Sequence, residues 1–459
     1  MAAPPFKVRL DDPPVLTPAA RESSYGWKGD RIELALDDGT TRVRQEVGTG
    51  GAFEIPSGSA GQATVTNASR VGTHRSATLW RMVSGGTGAV LTPGTTHPLV
   101  VSTRLRVSMW AFTPPFTKGL GKDGVALDPA LLGLFERAGV DDLSLVHTVT
   151  WQTRADPKGP ALPPRWHGGH APAGQTSEQH RTQYLRVLID ALHKMGVQVI
   201  PGFEIVRGTL KKGQVPTKKQ QALIDLCRDF ASWLEKASPS EIEAYAASIY
   251  AHFSSRGLDV DGIGFDFEFD ELTEKHRDNL ALLYRKTSEA VAHRNGLVSY
   301  ANAPFKQDGD NQHGFMKIQP FAVAATGLNL LARPMCFDGT ASTPLSLIKE
   351  SIACALRPAG DKGGAGLHPS QVQFGIWTDK VDGGTEKLCR DVLRPNRIGI
   401  MLYNLPAAGD AATRFLKECQ KWNQALNPDE GPPGQPGKPL QVPRGFGGWP
   451  PPFSPPAGK

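Results

Sequence analysis

The stretch "VDGIGFDFEFDE", residues 260–271, sets acidic side chains within a run of phenylalanine, isoleucine and valine. An apolar run of this kind is typical of a buried strand. Side chains of a strand alternate between its two faces. One face then carries Phe265, Phe267 and Phe269, and the other carries Asp266 and Glu268 near the end of the strand. We interpret the aromatic face as the one packed under helices, and the acidic face as pointing into an open mouth.

Seven further apolar runs predict strands, and amphipathic segments such as "TQYLRVLIDALHKMG" and "QALIDLCRDFASWLEKA" between them predict helices. Eight strand-then-helix units over about 330 residues indicate an α/β fold, a (β/α)8 TIM barrel, with its active site at the C-terminal ends of the strands. The predicted strands cover residues 104–112, 141–149, 197–205, 260–269, 297–305, 329–338, 371–379 and 398–406.

Three segments are predicted along the chain. Residues 1–100 are rich in Gly, Thr, Ser and Val, with short alternating runs such as "RIELAL", and predict a small antiparallel β domain. Residues 101–428 form the barrel. Residues 429–459 are a Pro/Gly-rich tail that favours polyproline II over helix or central strand; a surface-draped tail and a recognition segment for a partner are the two readings of it.

Charge, cysteine spacing and the distribution of apolar residues disfavour several classes of function. The 459 residues carry a formal net charge of +6, spread along the chain, which weakly favours anionic surfaces and does not favour nucleic acid. The five cysteines have no zinc-site spacing and are expected to be reduced thiols. No run approaches the roughly 18 apolar residues of a membrane span, and the N-terminus lacks the pattern of a secretory signal. We therefore expect synthesis in the cytoplasm, with any export by a non-classical route.

Asp266 and Glu268 carry the predicted chemistry. By strand rise their Cα atoms lie about 6.5 to 7 Å apart. Two carboxylates held that close in a restricted dielectric repel, so one keeps its proton to higher pH and acts as a general acid, as glycosidic cleavage requires. The alternative is structural: both acids pair with cations from neighbouring strands, for which Arg207 and Arg333 are the candidates.

The segment "DGIGFDFE", residues 261–268, resembles the Asp-Gly-x-x-x-Asp-x-Glu signature on the fourth barrel strand of glycoside hydrolase family 18. This family includes chitinases, endo-β-N-acetylglucosaminidases and peptidoglycan-cleaving relatives. The resemblance implies that Glu268 protonates the glycosidic oxygen while the 2-acetamido carbonyl of the substrate attacks the anomeric carbon, giving an oxazolinium intermediate. It also implies that Asp266 orients the acetamido group and that Asp261 supports the motif.

Further substrate-binding candidates follow from the predicted strand ends. "MCFD", residues 335–338, resembles the Met-x-Tyr-Asp of the family and contributes Asp338, while "SYANAPF" on strand five contributes Tyr300 and Asn302. Glu204 lies near the end of strand three, close to the expected mouth, and Tyr403 lies on strand eight.

Aromatic platforms suit sugars, because ring faces stack on them. Trp110, Trp151, Trp166 and Trp377 fall at or after strand ends and are candidates for lining a cleft, although for any one of them a core position is the commoner role. His167 and His170 in "WHGGH" are not followed by a further ligand at suitable spacing. We therefore expect no metal ion and no cofactor.

Two departures from the family pattern bear on function. Gly264 stands where the common motif has its central Asp, and Phe337 stands where the family has a Tyr hydroxyl for the acetamido oxygen. Tyr300 and Tyr403 are the nearest substitutes. Since peptidoglycan-directed relatives often lack the central Asp, a bacterial cell-wall glycan is favoured over chitin.

Two functions remain open. The first is a retaining, substrate-assisted hydrolase of β-1,4-linked N-acetylglucosamine polymers, with polysaccharide as its partner. The second is a catalytically weak or inactive glycan-binding barrel within a larger assembly, with residues 1–100 and the tail as docking pieces. The absence of a secretory pattern predicts delivery by a phage particle, a lysis event or an injection apparatus.

Overall fold

The computed structural model describes most of the barrel and parts of the N-terminal region. The described residues are 4–11, 31–36, 41–46, 52–55, 62–71, 78–82, 89–112, 114, 116–121, 124–167, 178–195, 197–206, 215–291, 297–302, 304–305, 330–335, 343–358, 364–367, 369–378, 381, 383–403, 405–406 and 409–428. The Pro/Gly-rich segment 429–459 lies outside them, as do Asp338, Phe337 and Arg207.

The N-terminal strands form two small sheets. Their order is β4-β1-β8-β6 in one sheet and β3-β2-β5-β7 in the other. Every pairing is antiparallel except that of β1 with β8, which is parallel. The predicted antiparallel β region is thus confirmed, with one parallel pair. The strands are β1 Phe6–Asp11, β2 Arg31–Leu36, β3 Thr41–Glu46, β4 Ala52–Ile55, β5 Ala63–Val71, β6 Thr78–Met82, β7 Ala89–Leu91 and β8 Thr96–Leu105.

Within the described ranges, eight parallel strands form the barrel, as predicted. The sheet order is β17-β16-β15-β14-β12-β9-β19-β18, and the parallel bridges Ala332 to Val372 and Met335 to Gly375 bring β17 beside β18. The strands are β9 Val107–Ala111, β12 Asp142–Thr150, β14 Gln198–Val206, β15 Gly262–Glu268, β16 Leu297–Asn302, β17 Leu330–Pro334, β18 Gln373–Trp377 and β19 Gly399–Tyr403. A hairpin of β10 Thr117–Gly121 and β11 Gly124–Leu127 follows β9, and β13 Arg165–Trp166 pairs with β12.

Helices connect these strands, as a (β/α) succession requires. Helix starts carry local signals: Asp128 caps the first helix, and the pairs Thr217 with Gln220 and Ser238 with Glu241 form capping boxes. No helix in the described part of the chain combines the length and apolar character needed to span a bilayer. The helices are α1 Pro129–Ala138, α2 Glu178–Lys194, α3 Lys218–Lys236, α4 Pro239–Ser254, α5 Arg277–Ala290, α6 Leu345–Leu356, α7 Thr385–Leu388 and α8 Gly409–Leu426.

A buried polar cluster fills the lower interior of the barrel. Arg333 Nη2 donates to Asp142 Oδ1 at 2.8 Å, Nη1 donates to Ser144 Oγ at 2.7 Å, and Nε donates to Gln373 Oε1 at 2.8 Å. Arg106 Nη1 donates to the other oxygen of Asp142 at 3.0 Å. Burial alone would raise the pKa of the Asp142 carboxyl, but the two guanidinium groups and the Ser108 hydroxyl hold it below its ordinary value.

Candidate active site

Strand β15 has the two faces that its alternation predicts. Phe265 and Phe267 are buried in the layer between barrel and helices, where Phe265 contacts Phe203 at 5.7 Å and Tyr284 at 5.0 Å between ring centroids. Asp266 and Glu268 point the other way and line the mouth of the barrel. The aromatic face therefore fixes the strand, and the two carboxyl groups are held on a rigid support.

The mouth encloses a cavity of about 220 Å³. It combines carboxyl groups, one imidazole and aromatic rings, the kind of lining that binds a sugar ring by stacking and hydrogen bonding. The lining side chains used below are Trp110, Phe112, His147, Glu204, Asp266, Glu268 and Tyr403.

Glu204 brings a third carboxyl group into the mouth, where the sequence placed it. Register pairs Glu204 of β14 directly with Asp266 of β15, and Val206 with Glu268. Glu204 is 3% exposed. The mouth therefore holds three acids on two adjacent strands.

Burial and neighbouring carboxyl groups raise the pKa of both Asp266 and Glu268. Burial, reinforced by the charges of Glu268 and Glu204, raises the pKa of Asp266 well above its usual range. Burial and Glu204 also raise the pKa of Glu268, and His147 opposes that effect in part. Since ionising all three acids in one enclosed mouth is costly, Asp266 and Glu268 retain a proton at a pH where an ordinary carboxyl group is ionised. A protonated carboxyl at the mouth is what a general acid requires.

The alternative role of Asp266 and Glu268, pairing with a cation from a neighbouring strand, does not hold for Arg333. Its guanidinium group is committed to Asp142, Ser144 and Gln373 in the barrel floor, and Arg207 lies outside the described residues. Asp266 Oδ1 is buried and has no hydrogen-bond partner among the described residues. A buried unpaired carboxyl oxygen is costly, and its position on the cavity wall leaves it available to a ligand.

Aromatic side chains ring one side of the mouth. The Tyr403 ring lies 5.8 Å from Trp110 and 5.5 Å from Trp377, both in edge-to-face geometry. Burial and the three acids raise the pKa of the Tyr403 hydroxyl, so this group stays a neutral hydrogen-bond donor. Phe112, 43% exposed, stands at the rim 6.4 Å from Tyr403. Trp110 and Tyr403 thus both line the cavity, whereas Trp377 packs against Tyr403 and is not among the lining residues.

The other two tryptophan candidates do not line the cavity. Trp151 is fully buried beside Trp233 and Tyr245, and its Nε1 donates to Asp229. Trp166 packs its edge against His252 on α4 at 4.7 Å. Both follow β12 in a connection that folds back on the helices, so a position after a strand end did not bring them to the mouth.

Three more candidates occupy structural positions. Asp261 lies at the start of β15, where its Oδ2 accepts from the Val199 backbone and lies 2.6 Å from His193 Nε2. Tyr300 is registered with Phe265 and stacks on Tyr284 at 5.3 Å, so it faces the helices.

Asn302, two residues on, is fully buried on the same face as Tyr300. Asp338 lies outside the described residues. None of the three described candidates, Asp261, Tyr300 and Asn302, lines the cavity. Of the two tyrosines considered as replacements for the hydroxyl missing at Phe337, Tyr403 is the one that lines it.

His147 is a mouth residue that the sequence did not reveal. A bulge between Leu145 and Val149 interrupts the pairing of β12 with β14, and His147 adopts a left-handed φ of 55°. The bulge turns its ring into the cavity, where Nδ1 contacts Glu204 Oε2 and the ring stacks on His167 at 4.5 Å. Strict alternation would have turned His147 outward; a histidine within the apolar run "SLVHTV" was the available signal.

Among the described residues, no group of three His, Cys, Asp or Glu side chains is arranged to hold a metal ion. His167 lies against His147, and His170 lies outside the described residues.

No protein-family model matches the chain, and no curated protein sequence matches it. Solved structures do show similarity. A chitinase from Chromobacterium violaceum aligns with a TM-score of 0.43 at 11% identity, over 70% of this chain and 99% of that one. A glycoside hydrolase family 18 chitinase from Flavobacterium johnsoniae gives 0.41 at 12%, over 71% and 96%.

A spore cortex-lytic enzyme from Bacillus megaterium gives a TM-score of 0.42 at 11% identity, over 73% of this chain and 77% of that one. One of these structures is a family 18 enzyme, the family whose motif residues 261–268 resemble. All three TM-scores are below 0.5.

Proposed function

We propose that this protein is a glycoside hydrolase that cleaves β-1,4-linked glycans containing N-acetylglucosamine, with bacterial peptidoglycan favoured over chitin. The observation that carries the proposal is the pair Asp266 and Glu268 on one strand at the barrel mouth, both with a raised pKa, in a cavity with aromatic walls. The preference for peptidoglycan rests on Gly264, where the family motif has an acid.

In the proposed reaction Glu268 is the general acid. It donates its proton to the glycosidic oxygen while the acetamido carbonyl oxygen of the same sugar attacks the anomeric carbon, so the leaving sugar departs with the proton and an oxazolinium ion forms. Asp266, whose Oδ1 has no partner among the described groups, holds the acetamido nitrogen. Glu268, now ionised, takes a proton from a water molecule as that water attacks the anomeric carbon and opens the oxazolinium ring. The product therefore retains the configuration of the anomeric carbon.

The test compares wild type with Glu268→Gln on cell-wall sacculi and on chitooligosaccharides, with products identified by mass spectrometry. Loss of a general acid lowers the rate by about 10² to 10⁴-fold, and we expect that loss. Glu136→Gln, an exposed glutamate on α1, is the matched control and keeps full activity. De-N-acetylated glycan should resist cleavage, because it lacks the attacking carbonyl.

Two results contradict the proposal. If the wild type cleaves and Glu268→Gln keeps most of its rate, Glu268 is not the acid. If the wild type binds insoluble glycan and releases no product, the protein is a binding barrel, the second function that the sequence left open.

A further inference from the structure

Glu204 and His147 form a pair directly beside the two proposed catalytic carboxyl groups. His147 Nδ1 contacts Glu204 Oε2, with the imidazole 17% and the carboxylate 4% exposed. Glu204 is the register neighbour of Asp266 on the adjacent strand. The reaction outlined above assigns no step to either residue.

The backbone is shaped to make this contact. His147 has a φ of 55° in the β12 bulge, a conformation that costs free energy in a non-glycine residue and persists where the surroundings impose it. On β14, a Cβ at Gly202 would collide with Glu204 Oε1 and would lie 2.9 Å from the Leu145 carbonyl oxygen. The glycine therefore leaves the space that the Glu204 carboxyl occupies. The bulge in β12 thus places His147, and the glycine in β14 leaves room for Glu204.

The charged and titratable groups facing the pair come from three segments. Asp266 and Glu268 face it from β15, Tyr403 from β19, and His167 stacks on the imidazole from the residue after β13. The guanidinium of Arg333 is bound to Asp142 in the barrel floor. Among these described neighbours, the two side chains able to carry positive charge near the three acids are His147, which lines the mouth, and His167, which stacks behind it.

We propose that Glu204 and His147 are a positioning pair that sets the protonation of the general acid Glu268, Glu204 by its negative charge and His147 by its positive charge. This inference rests on the proposed function. It assigns to Glu204, on the neighbouring strand, the electrostatic task that an acid at position 264 would otherwise perform.

The signs of the two effects are opposite. A negative charge on Glu204 disfavours ionisation of Glu268 and raises its pKa, while a protonated His147 favours ionisation and lowers it, the directions found for this site. Glu204 and Glu268 are diagonal neighbours on adjacent strands, about 8 Å apart at Cα. At that separation, one unit charge near a protein surface shifts a pKa by about 1.5 units.

The experiment measures the midpoint of the Glu268 carboxyl titration by NMR with 13Cδ-labelled glutamate, the signal being assigned by its absence in Glu268→Gln. The alkaline limb of kcat/KM is measured in parallel on the active substrate. Glu204→Gln should lower both midpoints by about 1.5 pH units, and His147→Asn should raise them. The double variant should return towards the wild-type value, since both charges are gone.

Asn is chosen at position 147 because it tolerates a positive φ; His147→Gly is the second variant should the first not fold. A Glu268 midpoint that stays in place in either single variant, or moves the same way in both, overturns the proposal, because a merely structural role changes rate without opposite shifts. A wild type that releases no product contradicts the proposed function, while the NMR titration still decides the pair. Cleavage that depends on Glu268 with unmoved midpoints contradicts the pair alone.

Discussion

Two glycines of the barrel lining should respond in opposite ways to one added methyl group. Gly202 lies on β14 and Gly264 is its register partner on β15. A Cβ at Gly264 would meet Ile200 Cγ2 and Ser299 Oγ at 3.6 Å, which is ordinary van der Waals contact. Gly264→Ala therefore fits, and because it also restricts the unfolded chain it should stabilise by about 0.4 to 1 kcal/mol.

Gly202→Ala meets a different environment. The new Cβ collides with Glu204 Oε1, lies 3.2 Å from Glu204 Cδ and 2.9 Å from the backbone oxygen of Leu145. Overpacking of this kind costs about 1 to 3 kcal/mol. Since Leu145 is paired with β14 in the sheet, we expect the Glu204 side chain to swing away from His147, so that the variant loses the pair as well as stability.

The two alanines should thus differ by about 1.5 to 4 kcal/mol in the free energy of unfolding. In thermal unfolding followed by tryptophan fluorescence, each kcal/mol corresponds to about 2 °C for a domain of this size. We expect the Tm of Gly202→Ala to fall by about 2 to 6 °C, and that of Gly264→Ala to stay level or rise slightly.

A third variant separates the two sources of crowding. In a Glu204→Ala background the collision with the carboxyl is absent and only the Leu145 oxygen remains, so adding Gly202→Ala should cost less there than in the wild type. Equal costs in both backgrounds would show that the glycine does not accommodate Glu204. A Gly264→Ala variant as unstable as Gly202→Ala would refute the steric reasoning altogether.

The barrel floor and the tryptophans give two further expectations. Arg333→Met should lower the free energy of unfolding at pH 7 by about 3 to 5 kcal/mol, because Asp142 is left buried with one cation fewer. The loss should shrink as pH falls, since the low pKa of Asp142 gives stability that is present above its unfolded pKa and is lost as pH drops through its folded pKa. Trp110→Ala should weaken glycan binding in a pull-down assay with insoluble glycan, whereas Trp151→Phe, deep in the core, should lower Tm and leave binding intact.

Much of the fold was predictable because strand and helix patterns are local. All eight predicted barrel strands exist. Two are shifted by one residue from their predicted ranges, and the other six are shorter than predicted. The β15 faces were predictable for the same reason: Phe265 and Phe267 could only be the packed face, so Asp266 and Glu268 had to point into the mouth.

Register between strands was not predictable, and the errors follow from that. Tyr300 lies within the predicted strand 297–305 and is a candidate for the mouth, but its pairing with Phe265 turns it towards the helices. The sequence offers Arg333 as a cation for Asp266, yet in the structure Arg333 binds Asp142, which lies 191 residues earlier in the chain. His147 was missed because a bulge reverses the alternation at one residue, and nothing local in a run of apolar residues marks where a bulge falls.

The strand that supplies a negative charge to the mouth decides which groups that charge contacts. A family 18 motif with its central acid would place three carboxyl groups on one strand; here Gly264 removes one and Glu204 adds one from the neighbouring strand. The number of acids is the same, but Glu204 differs in having a histidine at contact distance. If Glu268 is the general acid, as proposed, an acid at position 204 in place of position 264 would couple its protonation to the His147 side chain on a third strand, and the opposite shifts expected for Glu204→Gln and His147→Asn test that coupling.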